Sequence, residues 1–107
     1  MQRVTLVRYA AKPDRAADNE ALARTVFAEL EATAPEGIVY ALFREGTEFV
    51  HLFVNLAEDS SDALTEMPSF KAYARDMAER FEAPPEVTRL GLRLLESYGL
   101  GAVLAPA

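Results

Sequence analysis

Residues 37–56, GIVYALFREGTEFVHLFVNL, carry two runs of β-branched, aromatic and aliphatic side chains, 38–43 and 49–54, separated by Arg44, Glu45, Gly46 and Thr47. The runs read as strands, and the residues between them are turn chemistry in which Gly46 supplies the positive φ of a tight reversal. An antiparallel hairpin follows. With an even loop of two or four residues, Tyr40 falls opposite His51, Ile38 opposite Phe53 and Leu42 opposite Phe49, and strand alternation puts all six on one face. The other face takes Val39, Ala41, Phe43, Val50, Leu52 and Val54. Neither face suits water, so both must be covered.

Upstream, residues 3–10 alternate as a strand, with Val4 and Leu6 opposing Thr5, Val7 and Tyr9 across the pleat and Arg8 ending the Val4/Leu6 face. Lys12-Pro13-Asp14 breaks it, and Asp14, Asp18 or Asn19 is placed to cap a helix running to about Ala32. Leu22, Ala23, Val26, Phe27 and Leu30 give that helix one apolar stripe. Downstream, Pro68 suits the first turn of a second helix, whose inward stripe is Phe70, Tyr73, Ala74, Met77 and Phe81. Lys71, Arg75, Asp76, Glu79 and Arg80 are left for its surface, with Asp76 four residues before Arg80 in the favourable ion-pair orientation. Pro84-Pro85 stops it, and residues 87–98 form a last strand with Leu90, Leu92 and Leu94 on one face. The domain spans 1–98. Residues 99–107, GLGAVLAPA, read as a tail or as a segment laid on a neighbouring subunit.

The order β-α-β-β-α-β is the ferredoxin-like α+β arrangement, a four-stranded antiparallel sheet with two helices on one face. Two helices cover one face only. Leaving Phe and Leu side chains of the other face in water would make a patch larger than monomers tolerate. A second copy, packed sheet to sheet about a two-fold axis, covers it with one self-complementary surface. The expected assembly is a homodimer closing into an α+β barrel.

Composition narrows the partners. With 17 acidic against 11 basic residues, a net charge of −6 and no Lys/Arg cluster, neither nucleic acid nor an anionic membrane is expected as a partner. Zero cysteines exclude a thiolate nucleophile or thiolate metal site. No stretch approaches the ~20 apolar residues of a membrane span, and the amino-terminal residues lack a signal-peptide h-region, so a cytoplasmic protein is expected.

Together with the element order, the segments EFVHLFVN, MPSFKAYARDMAERF with its following proline pair, and the closing ESY resemble the dimeric α+β barrel superfamily, especially its antibiotic biosynthesis monooxygenase-type domains, over roughly residues 2–98. That resemblance implies a ligand site in each protomer's cavity, between sheet and helices or at the barrel mouth. Members of that superfamily include cofactor-independent oxygenases of polycyclic phenols, which tend to use an asparagine and a tryptophan around their substrate, as well as haem-degrading enzymes, small-molecule isomerases, decarboxylases and many proteins of unassigned role. Haem-degrading members use an asparagine on the first strand, a tryptophan on the third and a histidine on the second helix. Here the first strand offers Thr5, Val7 and Tyr9, tryptophan is absent and the second helix has no histidine, so haem degradation is disfavoured. No cofactor is expected.

His51, the one histidine, stands mid-strand among apolar neighbours, where a neutral imidazole acts as a base or fixes a ligand, or simply makes a hydrogen-bonded core residue with Tyr40. His51 and Tyr40 are the candidate catalytic pair. Tyr9, Arg8, Phe49, Phe53 and Asn55 are candidate ligand-binding residues for a small hydrophobic, phenolic or carbonyl compound: Tyr9 as a phenol donor, Arg8 as a carboxylate clamp. Each also has a plain structural role, Arg8 as a surface ion pair and Asn55 in strand termination. Glu58, Asp59 and Asp62 lie close in sequence but without metal-ligand spacing, and a metal is not expected. The opposing function is a non-catalytic barrel that binds an apolar ligand or a protein, with the space around His51 filled.

Overall fold

The computed structural model describes residues 2–56, 64–96 and 98, and shows β1 (Arg3–Ala10), α1 (Ala16–Thr33), β2 (Ile38–Glu45), β3 (Glu48–Asn55), α2 (Pro68–Ala74), α3 (Met77–Arg80) and β4 (Glu86–Gly91). The strands form one antiparallel sheet in the order β2-β3-β1-β4, the ferredoxin-like order. The expected acidic loop, Glu58, Asp59 and Asp62 included, and the expected tail lie outside the described residues.

The hairpin forms with its register two residues further along than the sequence suggested. Glu45 pairs with Glu48, leaving Gly46 and Thr47 as the turn, and Gly46 takes φ 59°. Tyr40 therefore faces Phe53, Leu42 faces His51 and Arg44 faces Phe49. Arg44 and Glu45 belong to the strand rather than the turn because the Arg44 guanidinium finds partners there. It donates to Glu20 on α1 at 2.8 Å and to the Gly46 carbonyl at 2.7 Å, and lies 5.3 Å from the Phe49 ring. A shift of two leaves every side chain on its expected face.

The helices cover the face that carries Val7, Tyr9, Tyr40, Leu42, Phe49 and Phe53. From α1 the buried residues are Ala16, Asn19, Ala23 and Val26, at helical spacing. The helix has no side-chain cap at its start, which corrects the expectation for Asp14, Asp18 and Asn19. It ends as Ala34 turns left-handed (φ 43°) and donates to the Leu30 carbonyl. Glu29 of α1 accepts the Ser69 N–H at 3.0 Å, satisfying one of the amides at the start of α2 that no helical carbonyl reaches.

The second helix is two pieces. Arg75 is extended and Asp76 left-handed (φ 61°, ψ 26°), so α2 stops at Ala74 and α3 is a single turn. The expected Asp76–Arg80 surface pair does not form, since Arg80 turns inward. β4 also ends earlier than expected, at Gly91: its neighbour β1 begins at Arg3, and beyond that pair Gln2 takes the Leu92 N–H on its carbonyl and the Leu94 N–H on Oε1.

Candidate functional site

The sheet brings Tyr9 and Tyr40 to the two sides of His51. Val7 and Leu42 are its direct cross-strand neighbours, Tyr9 stands diagonally across β1 and Tyr40 diagonally across β2. At the Nε2 end of the imidazole the Tyr9 hydroxyl lies 2.8 Å away and the Tyr73 hydroxyl of α2 3.1 Å; at Nδ1 the Tyr40 hydroxyl lies 2.5 Å away. Tyr9 and Tyr73 also hydrogen-bond one another. Behind them the Asn19 amide donates to the Tyr9 oxygen at 2.7 Å, and Arg80 Nε donates to Asn19 Oδ1 at 3.1 Å.

Asn19, Tyr73 and Arg80 were not singled out from the sequence as polar site residues, and they complete the cluster. Arg80 is 2% exposed and Asn19 fully buried. Among the described residues no carboxylate meets the Arg80 guanidinium. It donates instead to the carbonyls of Arg75 and Tyr73 and lies over the Tyr73 and Phe81 rings, 5.2 and 5.8 Å from their centroids. Those carbonyls are left without helical partners where α2 breaks, at the negative end of the helix, so the break and the buried cation complement one another. Lys12 N–H on the Arg80 carbonyl and Glu82 N–H on that of Ala10 tie this corner to β1.

Counting hydrogens fixes how the cluster is arranged. The three phenols and a neutral imidazole bring four, and the bare ring nitrogen and phenol oxygens must accept them. If Nε2 carried the ring hydrogen, either Tyr9 or Tyr73, both buried, would be left with an O–H and no acceptor among the described residues. Such an orphan costs about 1–3 kcal/mol. With the hydrogen on Nδ1, Nδ1–H donates to the Tyr40 oxygen and every phenol but Tyr40 finds an acceptor; the shorter approach of Tyr9 to Nε2, 2.8 against 3.1 Å, makes Tyr9 the donor to the ring and Tyr73 the donor to Tyr9. The spare hydrogen then belongs to Tyr40, the one phenol of the three that is only partly buried. Every bond runs one way, from Arg80 through Asn19, Tyr9 and His51 to Tyr40, and donors in such a chain strengthen one another.

Electrostatics agree with a neutral cluster. Burial lowers the His51 imidazole to about 4, so it is uncharged near neutral pH. Burial raises all three phenols; hydrogen bonds from Tyr73 and Asn19 and the Arg80 charge partly oppose the rise at Tyr9, while the neighbouring Tyr9 adds to it at Tyr40.

The other residues singled out from sequence divide by place. Phe49 is buried and stacks on Tyr9 with centroids 5.4 Å apart; Phe53 meets Tyr40 edge-on at 6.0 Å. Both wall the cluster. Asn55 is buried on the same face, four residues from His51 at the end of β3, opposite Arg3 and Ile38. Arg8 is on the other face, exposed and 3.7 Å from Glu48. Beside the cluster, a groove of about 400 Å³ runs between α1 and the β2 edge, lined by Glu20, Arg24, Phe27, Ala28, Glu31 and Leu42.

No protein-family model matches this sequence, and no curated protein matches it by sequence. Solved structures do match in fold. Rv0793 from Mycobacterium tuberculosis superposes with a TM-score of 0.75 at 21% identity, over 91% of this chain and 100% of that one. A provisionally named antibiotic biosynthesis monooxygenase from Caulobacter crescentus gives 0.72 at 22%, over 87% and 91%, and one from Bacteriodes thetaiotaomicron 0.72 at 17%, over 91% and 96%. The chain thus shares the ferredoxin-like fold of these structures, the fold that its element order and its sequence resemblance implied.

Proposed function

We propose that this protein is a cofactor-independent, monooxygenase-like enzyme acting on a small phenolic or carbonyl compound, and that it works as a homodimeric α+β barrel. The observation that carries the reading is the one-way chain from the buried Arg80 to the Tyr40 hydroxyl. Burying a guanidinium is costly, and the carbonyls of Arg75 and Tyr73 engage only its terminal nitrogens, leaving Nε to head the chain through Asn19. What the chain provides is a fixed, strengthened donor aimed at oxygen. A phenol or enol that gives its proton to solvent becomes an oxyanion electron-rich enough to react with dioxygen itself; the donor stabilises that oxyanion, and dioxygen, the sole oxidant, leaves one oxygen atom on the substrate carbon and takes that carbon's two hydrogens away as water. In this reading Tyr40 touches the substrate, while His51, with both ring nitrogens engaged, orients and polarises Tyr40.

The fold likeness to structures named as monooxygenases supports this reading without carrying it. Dimerisation is supported by the uncovered sheet face, on which Phe43 is 58%, Leu90 48% and Leu6 41% exposed.

The test is oxygen uptake with a panel of naphthols and anthrones. Tyr40→Phe and His51→Gln should each lower turnover on an accepted substrate by about a hundredfold or more, the usual loss on removing one oxyanion donor. Undiminished turnover in both variants rejects the roles.

A second reading has its own observation. His51 is 4% exposed, and the groove stops at Phe27 and Leu42 without reaching it. A non-catalytic barrel that binds an apolar ligand fits that enclosure, and predicts binding without oxygen uptake across the panel.

A further inference from the structure

We infer that Tyr9 is a one-electron redox site: it yields an electron to an organic peroxyl radical, passes its hydroxyl proton to His51, and holds the resulting phenoxyl radical inside the core. The inference goes beyond the oxygenase reading and does not depend on it.

Three observations converge on Tyr9. The first is its bond to a base. A neutral phenol is hard to oxidise unless its proton leaves with the electron, and a base within about 2.6–3.2 Å takes that proton directly. The Tyr9 hydroxyl meets His51 Nε2 at 2.8 Å. Of the three phenols it is the one that donates to a base: Tyr73 donates to a phenol oxygen, and the Tyr40 oxygen receives the ring N–H. Second, the Tyr73 hydroxyl and the Asn19 amide both donate to the Tyr9 oxygen, where they stabilise the partial negative charge that a phenoxyl oxygen carries. Third, Tyr9 is 6% exposed and its ring stacks on Phe49 and Phe81, with centroids 5.4 and 3.7 Å away. That enclosure keeps out a second phenoxyl, whose coupling ends the life of a free tyrosyl radical.

The electron has a path out. Ring follows ring from Tyr9 to His51, Tyr40 and Phe27, with centroid separations of 5.4, 5.8 and 4.7 Å, and Phe27 lines the groove beside α1. The peroxyl radical gains one electron and, with a proton from water, becomes a hydroperoxide. Tyr9 loses that electron, its O–H bond breaks, and the proton forms an N–H bond at His51 Nε2. One hydroxide in solvent balances one imidazolium in the core. Burial resists that imidazolium, holding the ring at about 4, but an oxidised phenol is a far stronger acid. The same resistance returns the proton when an electron comes back, so the site resets.

The test uses the Tyr98→Phe chain, which lacks the fully exposed phenol and keeps the core intact. Peroxyl radicals from a water-soluble azo initiator in air, followed by freezing and electron paramagnetic resonance, should give a tyrosyl signal that outlives that of N-acetyltyrosinamide treated alike. Its couplings to the protons donated by Tyr73 and Asn19 should vanish in deuterated water. In the same background Tyr73→Phe should keep the signal and lose one of those couplings. Tyr9→Phe should lose the signal altogether, with circular dichroism reporting the fold, and His51→Gln, which removes the base, should lose it too. A signal no longer-lived than that of the free amide, one without exchangeable couplings, or one undiminished in a folded Tyr9→Phe chain overturns the inference. Oxygen uptake on the phenol panel is scored apart. Uptake by a chain that forms no such radical sinks the redox site and spares the oxygenase, and the radical without uptake does the reverse.

Discussion

His51 is held neutral by its surroundings rather than by its sequence neighbours. Burial drops its imidazole from 6.5 to about 4, so between those values the unfolded chain takes up a proton that the folded chain refuses. The stabilisation is complete above pH 6.5 and is lost as the pH falls towards 4, a span amounting to about 3 kcal/mol. Tyr9, Tyr40 and Tyr73 face the ring, and burial raises all three phenols, so none of them titrates in that window. Urea unfolding at pH 7.5 and pH 5 should show about 2 kcal/mol of this loss in the native chain and a flatter dependence in His51→Gln; equal dependence on pH in the two contradicts the neutral imidazole. The sequence made part of this legible. Tyr9, Tyr40 and His51 share a strand face by simple alternation. Asn19 and Arg80 also sat at core spacing, Asn19 four residues before Ala23 and Arg80 seven after Tyr73. Their polarity argued for the surface, and what overrode it was a set of partners on other elements that spacing alone does not reveal.

At the level of elements, the break after α2 is the feature a periodicity reading does not find, because residues 68–81 keep helical spacing straight through it. The left-handed Asp76 frees the Tyr73 and Arg75 carbonyls for the Arg80 guanidinium, so a backbone departure and a buried cation come as one device. The left-handed conformation is costly for a residue with a Cβ, and the Asp76 side chain makes no capping bond to offset it. Asp76→Gly should therefore raise stability by about 0.5–1 kcal/mol, seen as a higher urea midpoint at unchanged slope. A lower midpoint would mean the carboxylate holds the break. The hairpin register shows the complementary lesson. Turn chemistry at Arg44-Glu45-Gly46-Thr47 was correctly placed, yet Arg44 and Glu45 extend the strands because Arg44 is anchored to Glu20 on α1, a tertiary contact invisible in the local pattern.

For the molecule as a whole, the hairpin's two apolar faces set the problem and the helices solve half of it. The uncovered face carries Val4, Leu6, Phe43, Leu52, Val54 and Leu90, and hiding several such side chains at ~25 cal/mol per Å² outweighs the entropy lost on association. No described helix is long and apolar enough to cross a membrane. In the dimer we propose, a second copy covers this face by symmetry, and the cluster around His51 lies behind a sheet that is covered on both sides. Sedimentation equilibrium at micromolar concentration measures this directly. The native chain should sediment at twice its 11.8 kDa mass, and Leu6→Arg, which puts a charge at the centre of the open face, should halve it with the circular dichroism unchanged. A native chain that sediments at 11.8 kDa would contradict the account.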